Sequence, residues 1–148
     1  MHVEFGAASG RVERPVYVWL AVILELFTAV GAIPVGTMFL ADSSGGMVGM
    51  QPGWIEGTVF GSYLVPGIYL LLANGLGMLA LALLTARRHP VAPWLTGALG
   101  VGLIVWILVE ILVLPLTSFL TWVFLAIGFA MGFVALFWLR RKGQLRLW

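Results

Sequence analysis

The chain has 148 residues, of which 61% are hydrophobic and 9% charged, and its mean hydropathy is +1.07. A soluble domain carries about a quarter of its residues as charges, so this composition excludes a cytosolic enzyme or a nucleic-acid binder and points to an integral membrane protein. The sequence holds no cysteine, which removes disulfides, iron–sulfur clusters, thiolate metal sites and cysteine nucleophiles from consideration.

Crossing the hydrocarbon core of a bilayer takes about 20 apolar residues in a helix. Four runs satisfy this, at 16–40, 61–86, 94–114 and 118–139. They are apolar all round and lack the two-residue alternation of membrane strands, so the sequence predicts an all-α bundle of four transmembrane helices. The whole chain, 1–148, then forms a single membrane domain with an outer loop at 41–60 and a basic tail at 140–148. Pro15 suits the first turn of helix one, where a missing N–H costs nothing.

Every Lys and Arg falls on one side of these spans: Arg11 and Arg14 before helix one, Arg87 and Arg88 between helices two and three, and Arg140, Arg141, Lys142 and Arg146 after helix four. The positive-inside rule makes that side cytoplasmic, with both termini inside. The formal charge of +2 then reflects contact with anionic lipids at the cytoplasmic face of the bilayer, not with nucleic acid. Glu4 and Glu13 before the first run, and its length, argue for a retained helix and not a cleaved signal. Trp19, Trp94 and Trp138 are expected at the cytoplasmic interface, and Trp54 and Trp122 at the outer one.

Glu25 in helix one and Glu110 in helix three are intramembrane acids, costly to insert as charges. Removal from water favours the neutral carboxylic acid, which makes each a candidate proton carrier or hydrogen-bond donor. At 1.5 Å per residue, counted from Trp19 and Trp94, Glu25 lies roughly 9 Å deep and Glu110 roughly 24 Å deep. Asn74 in helix two reaches the middle of the membrane by the same arithmetic, so Glu25, Thr28 and Asn74 are expected to share a central ligand or proton site. Thr28 belongs with Ala21, Glu25, Ala29, Ala32 and Gly36 to a polar and small stripe that faces protein. Trp106 lies one turn before Glu110 on the same helix face.

Pro34 and Pro66 each free a carbonyl four residues earlier, those of Val30 and Ser62. Their matching heights suggest an outer vestibule formed by Pro34, Pro66, Ser62, Tyr63 and Glu110. The glycine-rich outer loop, with a Pro52-Gly53 turn, Trp54 and Ile55 at the interface and Glu56 as an entrance charge, is a candidate lid. Gly128 and Gly132, Ala98 and Gly102, and Ala73 and Gly77 are small-residue pairs suited to close helix contact, within one chain, in a homodimer or against partner membrane subunits. His2 and His89 lie at cytoplasmic ends, so no metal site, no cofactor and no catalytic motif is expected.

Asp42-Ser-Ser-Gly45, Trp54-Ile-Glu-Gly57, Val65-Pro66-Gly67 and Asn74-Gly75-Leu76-Gly77 resemble segments of small four-span membrane proteins of bacteria to which no activity is assigned. This resemblance implies the fold and a bacterial cytoplasmic (inner) membrane. In having four helices and a membrane glutamate in helix one, the chain is also similar to the small multidrug resistance transporters, where Glu25 matches. It departs from them in its long outer loop, in Glu110 and in lacking their aromatic cage. Two further functional classes remain beside a proton-linked transporter or ligand-binding protein: an accessory subunit of a larger membrane complex, and a lipid-modifying enzyme.

Overall fold

The structure, a computed structural model, describes residues 15–115 and 117–143. The expected basic residues Arg11, Arg14 and Arg146, and His2, lie outside the described residues. Four helices are long and apolar enough to span a membrane: α1 (Val16–Ala41), α2 (Leu64–Ala86), α3 (Ala92–Val113) and α4 (Phe119–Arg141). No strand occurs among the described residues. Helix α2 is composite, with α-helical Leu64–Tyr69, a π-helical stretch Leu70–Gly77 and α-helical Met78–Ala86.

Each helix end has a local cause. Pro15 stands extended at the start of α1. The end of α2 is closed by the His89 amide donating to the Leu84 carbonyl (2.9 Å) and the Arg88 amide to that of Thr85 (2.9 Å), with Arg88 left-handed at φ 56°, which is the Schellman pattern. Pro93 lies in the first turn of α3, and Ser118 caps α4 by accepting from the Thr121 amide.

The chain folds as two antiparallel hairpins, α1 on α2 and α3 on α4, packed against each other. Glycines set the closeness within each pair. A Cβ at Gly36 of α1 would lie 2.7 Å from the backbone nitrogen of Leu71, and one at Gly67 of α2 only 2.6 Å from the Phe39 Cβ. Between α3 and α4, a Cβ at Gly100 would meet Met131 at 2.9 Å, and one at Gly128 would meet Ile104 at 2.7 Å. Gly128 thus works inside the chain, while Gly132 has open space where its Cβ would be. Inner faces carry Ala29, Met78, Leu81, Leu103, Ile107 and Met131. The outer faces are equally apolar, with Ile23, Val30, Leu72, Leu83, Val105, Leu112 and Phe133 exposed, as suits a surface solvated by lipid chains.

Two expectations need correction. Trp138 is not an interfacial ring but is completely buried, packed with Val18 and Ala92 beside Tyr17. Pro66 does not interrupt a helix: α2 begins at Leu64, so Pro66 stands in its first turn and Ser62 precedes the helix. Pro34 is the internal proline, within α1.

The glycine contacts generate a test. Gly36→Val should lower stability by about 1–3 kcal/mol, because backbone and not a flexible side chain stands in the way. Gly132→Ala should leave stability unchanged or slightly raised. Unfolding both variants in mixed detergent micelles checks this, and equal behaviour would refute the packing described.

Candidate functional site

Glu25 is 0% exposed and tied to two other helices. The Thr96 hydroxyl of α3 donates to its Oε1 at 2.7 Å, and the Thr85 hydroxyl of α2 donates to the same atom at 3.1 Å. Both threonines lie near the short α2–α3 turn, so the cluster clasps α1, α2 and α3 in the half of the bundle that holds the start of α1 and the end of α4. Its Oε2 has no hydrogen-bond partner, and no ion pair to Glu25 exists among the described residues. Neutral hydroxyls, not cations, hold this acid.

A separate cleft, about 210 Å³ in volume, occupies the loop half. At its inner end are Thr28 of α1, Asn74 of α2 and Leu103 of α3. Asn74 lies in the π-helical stretch, is 2% exposed, and its Nδ2 finds no partner. π-Helical turns in helices recur at functional sites. The neighbouring Gly75 packs against Ile33, where a Cβ would come within 2.8 Å of the Ile33 Cγ1. Thr28 satisfies its own hydroxyl by donating to the Leu24 carbonyl at 2.9 Å.

Glu110 lies on the cleft wall contributed by α3 and accepts from the Thr121 hydroxyl at 3.1 Å. Trp106, one turn away, also lines the cleft and stacks on Tyr69, with ring centroids 4.8 Å apart. The Tyr69 hydroxyl donates to the Gly102 carbonyl at 3.2 Å, which fixes that stack between α2 and α3. Phe124 of α4 closes against α1 near Gly31 and tilts on Phe27 at 5.9 Å.

The loop roofs this cleft with Met50, Ile55 and Phe60. Tyr63 pins it: its ring stacks on Phe39 at 4.9 Å, its hydroxyl donates to the Gln51 carbonyl at 3.1 Å, and its amide donates to the Ser43 carbonyl at 3.0 Å. Gly45 is left-handed at φ 84°, and a Cβ there would strike the Tyr63 ring at 2.7 Å. Asp42 organises the first loop turn by accepting from the Ser44 hydroxyl (2.6 Å), the Ser44 amide (3.1 Å) and the Met47 amide (3.2 Å). The Ser44 hydroxyl, with these amides, holds the Asp42 carboxyl below its usual range.

The structure therefore brings together Asn74, Thr28, Trp106, Glu110, Tyr63 and Pro66 around one cleft and leaves Glu25 outside it. Pro34 is exposed and does not line that cleft. Ser62 and Glu56 border a different, shallow hollow with Ser43 and Pro52, and Trp54 is half-buried in the 3₁₀ turn Pro52–Trp54. The expected vestibule thus loses Pro34 and Ser62, because Pro34 turns away from the bundle and Ser62 stays in the loop. Thr85, Thr96 and Thr121 are not singled out by sequence, nor is Phe60 of the roof, whereas the loop with Ile55 is read there as a lid.

A double-mutant cycle tests the clasp. Thr96→Val should cost about 1 kcal/mol in a wild-type background and close to nothing in Glu25→Leu, where the acceptor is gone. Equal losses in both backgrounds, read from denaturant titration in micelles, would show that Thr96 contributes by packing alone. No protein-family model, no curated protein and no solved structure matches the chain.

Proposed function

We propose that the protein is a small multi-pass transporter or ligand-binding protein whose solute sits in the loop-half cleft between Asn74 and Glu110. The observation that carries this reading is Asn74: a residue lining the cleft at mid-helix, 2% exposed, whose enclosed amide nitrogen has no partner. An unpaired polar group in an apolar interior costs about 1–3 kcal/mol, and a solute that pairs with this amide offsets that cost. Glu110, on the α3 wall of the cleft, is the acid in reach of a solute and the one through which binding is linked to a proton. Glu25, clasped by Thr85 and Thr96, closes the opposite half.

The orientation in this reading is with both termini cytoplasmic in a bacterial inner membrane. Supporting it, Arg87, Arg88, Arg140, Arg141 and Lys142 gather at one end of the bundle, while Asp42 and Glu56 belong to the loop at the other. The basic end then meets anionic lipid head groups, each positive charge contributing about 1 kcal/mol near such a surface.

Native mass spectrometry of the protein extracted gently from its own membranes tests the reading. The expected result is a chain, alone or as a self-dimer, that retains a small molecule, with about tenfold less retained in Asn74→Leu at unchanged helicity. Recovery without any small molecule, or only in company with other polypeptides, would overturn it in favour of an accessory subunit.

A further inference from the structure

Resting on the cleft as a ligand site, we infer that its ligand is a neutral one- or two-ring molecule bearing a carbonyl oxygen, which accepts a hydrogen bond from Asn74 Nδ2. Size sets the first limit. A cavity of about 150 Å³ holds benzene, and drug-sized sites start at about 300 Å³, so 210 Å³ encloses one ring or two fused rings and is too small to enclose a whole phospholipid or a peptide.

The walls set the second limit. Phe39, Phe60, Tyr63, Trp106 and Phe124 all line the cleft, and aromatic faces and edges favour another ring in offset or edge-on contact. Polarity sets the third. Asn74 lines the inner end, is 2% exposed and holds an unpartnered donor, Nδ2, and a donor calls for an acceptor. A carboxylate or phosphate is a strong acceptor, but as an ion it gives up its hydration to enter a cleft lined mainly by apolar side chains. A carbonyl supplies the acceptor without charge, and it enters a lipid-surrounded site at little desolvation cost compared with an ion.

Asn74 is the only asparagine in the chain, so asparagine-selective ¹⁵N labelling yields one side-chain amide pair and reports this atom alone. The experiment uses the whole protein in phospholipid nanodiscs, with empty nanodiscs as the partition control. The probes are menadione (a neutral fused-ring diketone), tryptamine (a ring-bearing cation) and ethylbenzene (a ring without an acceptor). Menadione is a clean choice because the chain has no cysteine to alkylate.

The expected result is a saturable downfield shift of one Asn74 amide proton with menadione, and binding at least tenfold weaker for ethylbenzene. Val35→Phe, which fills the cleft wall, should weaken menadione about tenfold without touching Asn74. Tryptamine shifting the amide while menadione does not would overturn the ligand class and leave the cleft as a site. Equal affinity for ethylbenzene would overturn the hydrogen bond. If no probe moves the amide, the class falls, and retention of a natural small molecule in native mass spectrometry then decides whether the cleft reading falls with it.

Discussion

Helices whose outward faces are as apolar as their inward ones gain little from exchanging lipid for protein, so this bundle depends on backbone approach and on polar groups turned inward. Gly36 and Gly67 let α1 and α2 come into backbone contact, and Gly100 and Gly128 do so for α3 and α4. Each hairpin is thereby tight along its length. Between the hairpins, apolar packing of Ala29 and Met78 with Leu103 and Met131 is joined by specific polar contacts: Glu25 to Thr96, and Tyr69 to the Gly102 carbonyl. Such pairs are worth about 0.6–2 kcal/mol each in membranes. The cleft occupies the loop half, beyond the Glu25 clasp, where loop residues and not a second clasp complete the wall.

The spans were legible because hydrocarbon thickness fixes helix length, and few sequences satisfy it by accident. The runs at 16–40, 61–86, 94–114 and 118–139 lie within three residues of the observed helices at every end. Helix α2 starts at Leu64 and not at residue 61, because hydropathy does not register that Gly61, left-handed at φ 65°, still belongs to the loop. Trp138 was misplaced for a related reason. An indole near the end of a span reads as interfacial by position alone, and only the packing of α1 against α4 reveals Tyr17 and Val18 covering it.

For the site, the residues that stand out in hydrocarbon were visible and their partners were not. Asn74, Glu110 and Glu25 are conspicuous because an amide or acid is costly there. Threonine is inconspicuous, since its hydroxyl can return to the carbonyl four residues back, as Thr28 does to Leu24 and Thr37 to Ile33. Nothing in composition distinguishes those threonines from Thr85 and Thr96, whose hydroxyls reach across to Glu25. Depth arithmetic puts Glu25 and Asn74 near one level, whereas Glu25 pairs with Thr85 and the neighbour of Asn74, Gly75, packs on Ile33, so Asn74 stands about two turns nearer the loop. The π-helical stretch through Asn74 is likewise silent in apolar periodicity.

The two acids end with different physical roles because of what their threonines do. Thr85 and Thr96 share one task, donating to a single oxygen of Glu25 in a site from which solvent is excluded. Thr121 has two. Its Oγ1 accepts from the Ser118 amide at 3.3 Å in the α4 capping box and donates to Glu110 at 3.1 Å. The Ser118 hydroxyl lies 3.3 Å from the same oxygen, so the single Thr121 proton has two acceptors within reach. The Thr121 hydroxyl thus joins the cleft wall, through Glu110, to the N-terminal cap of α4. The two threonines of Glu25, by contrast, bond across the bundle to that one carboxyl oxygen.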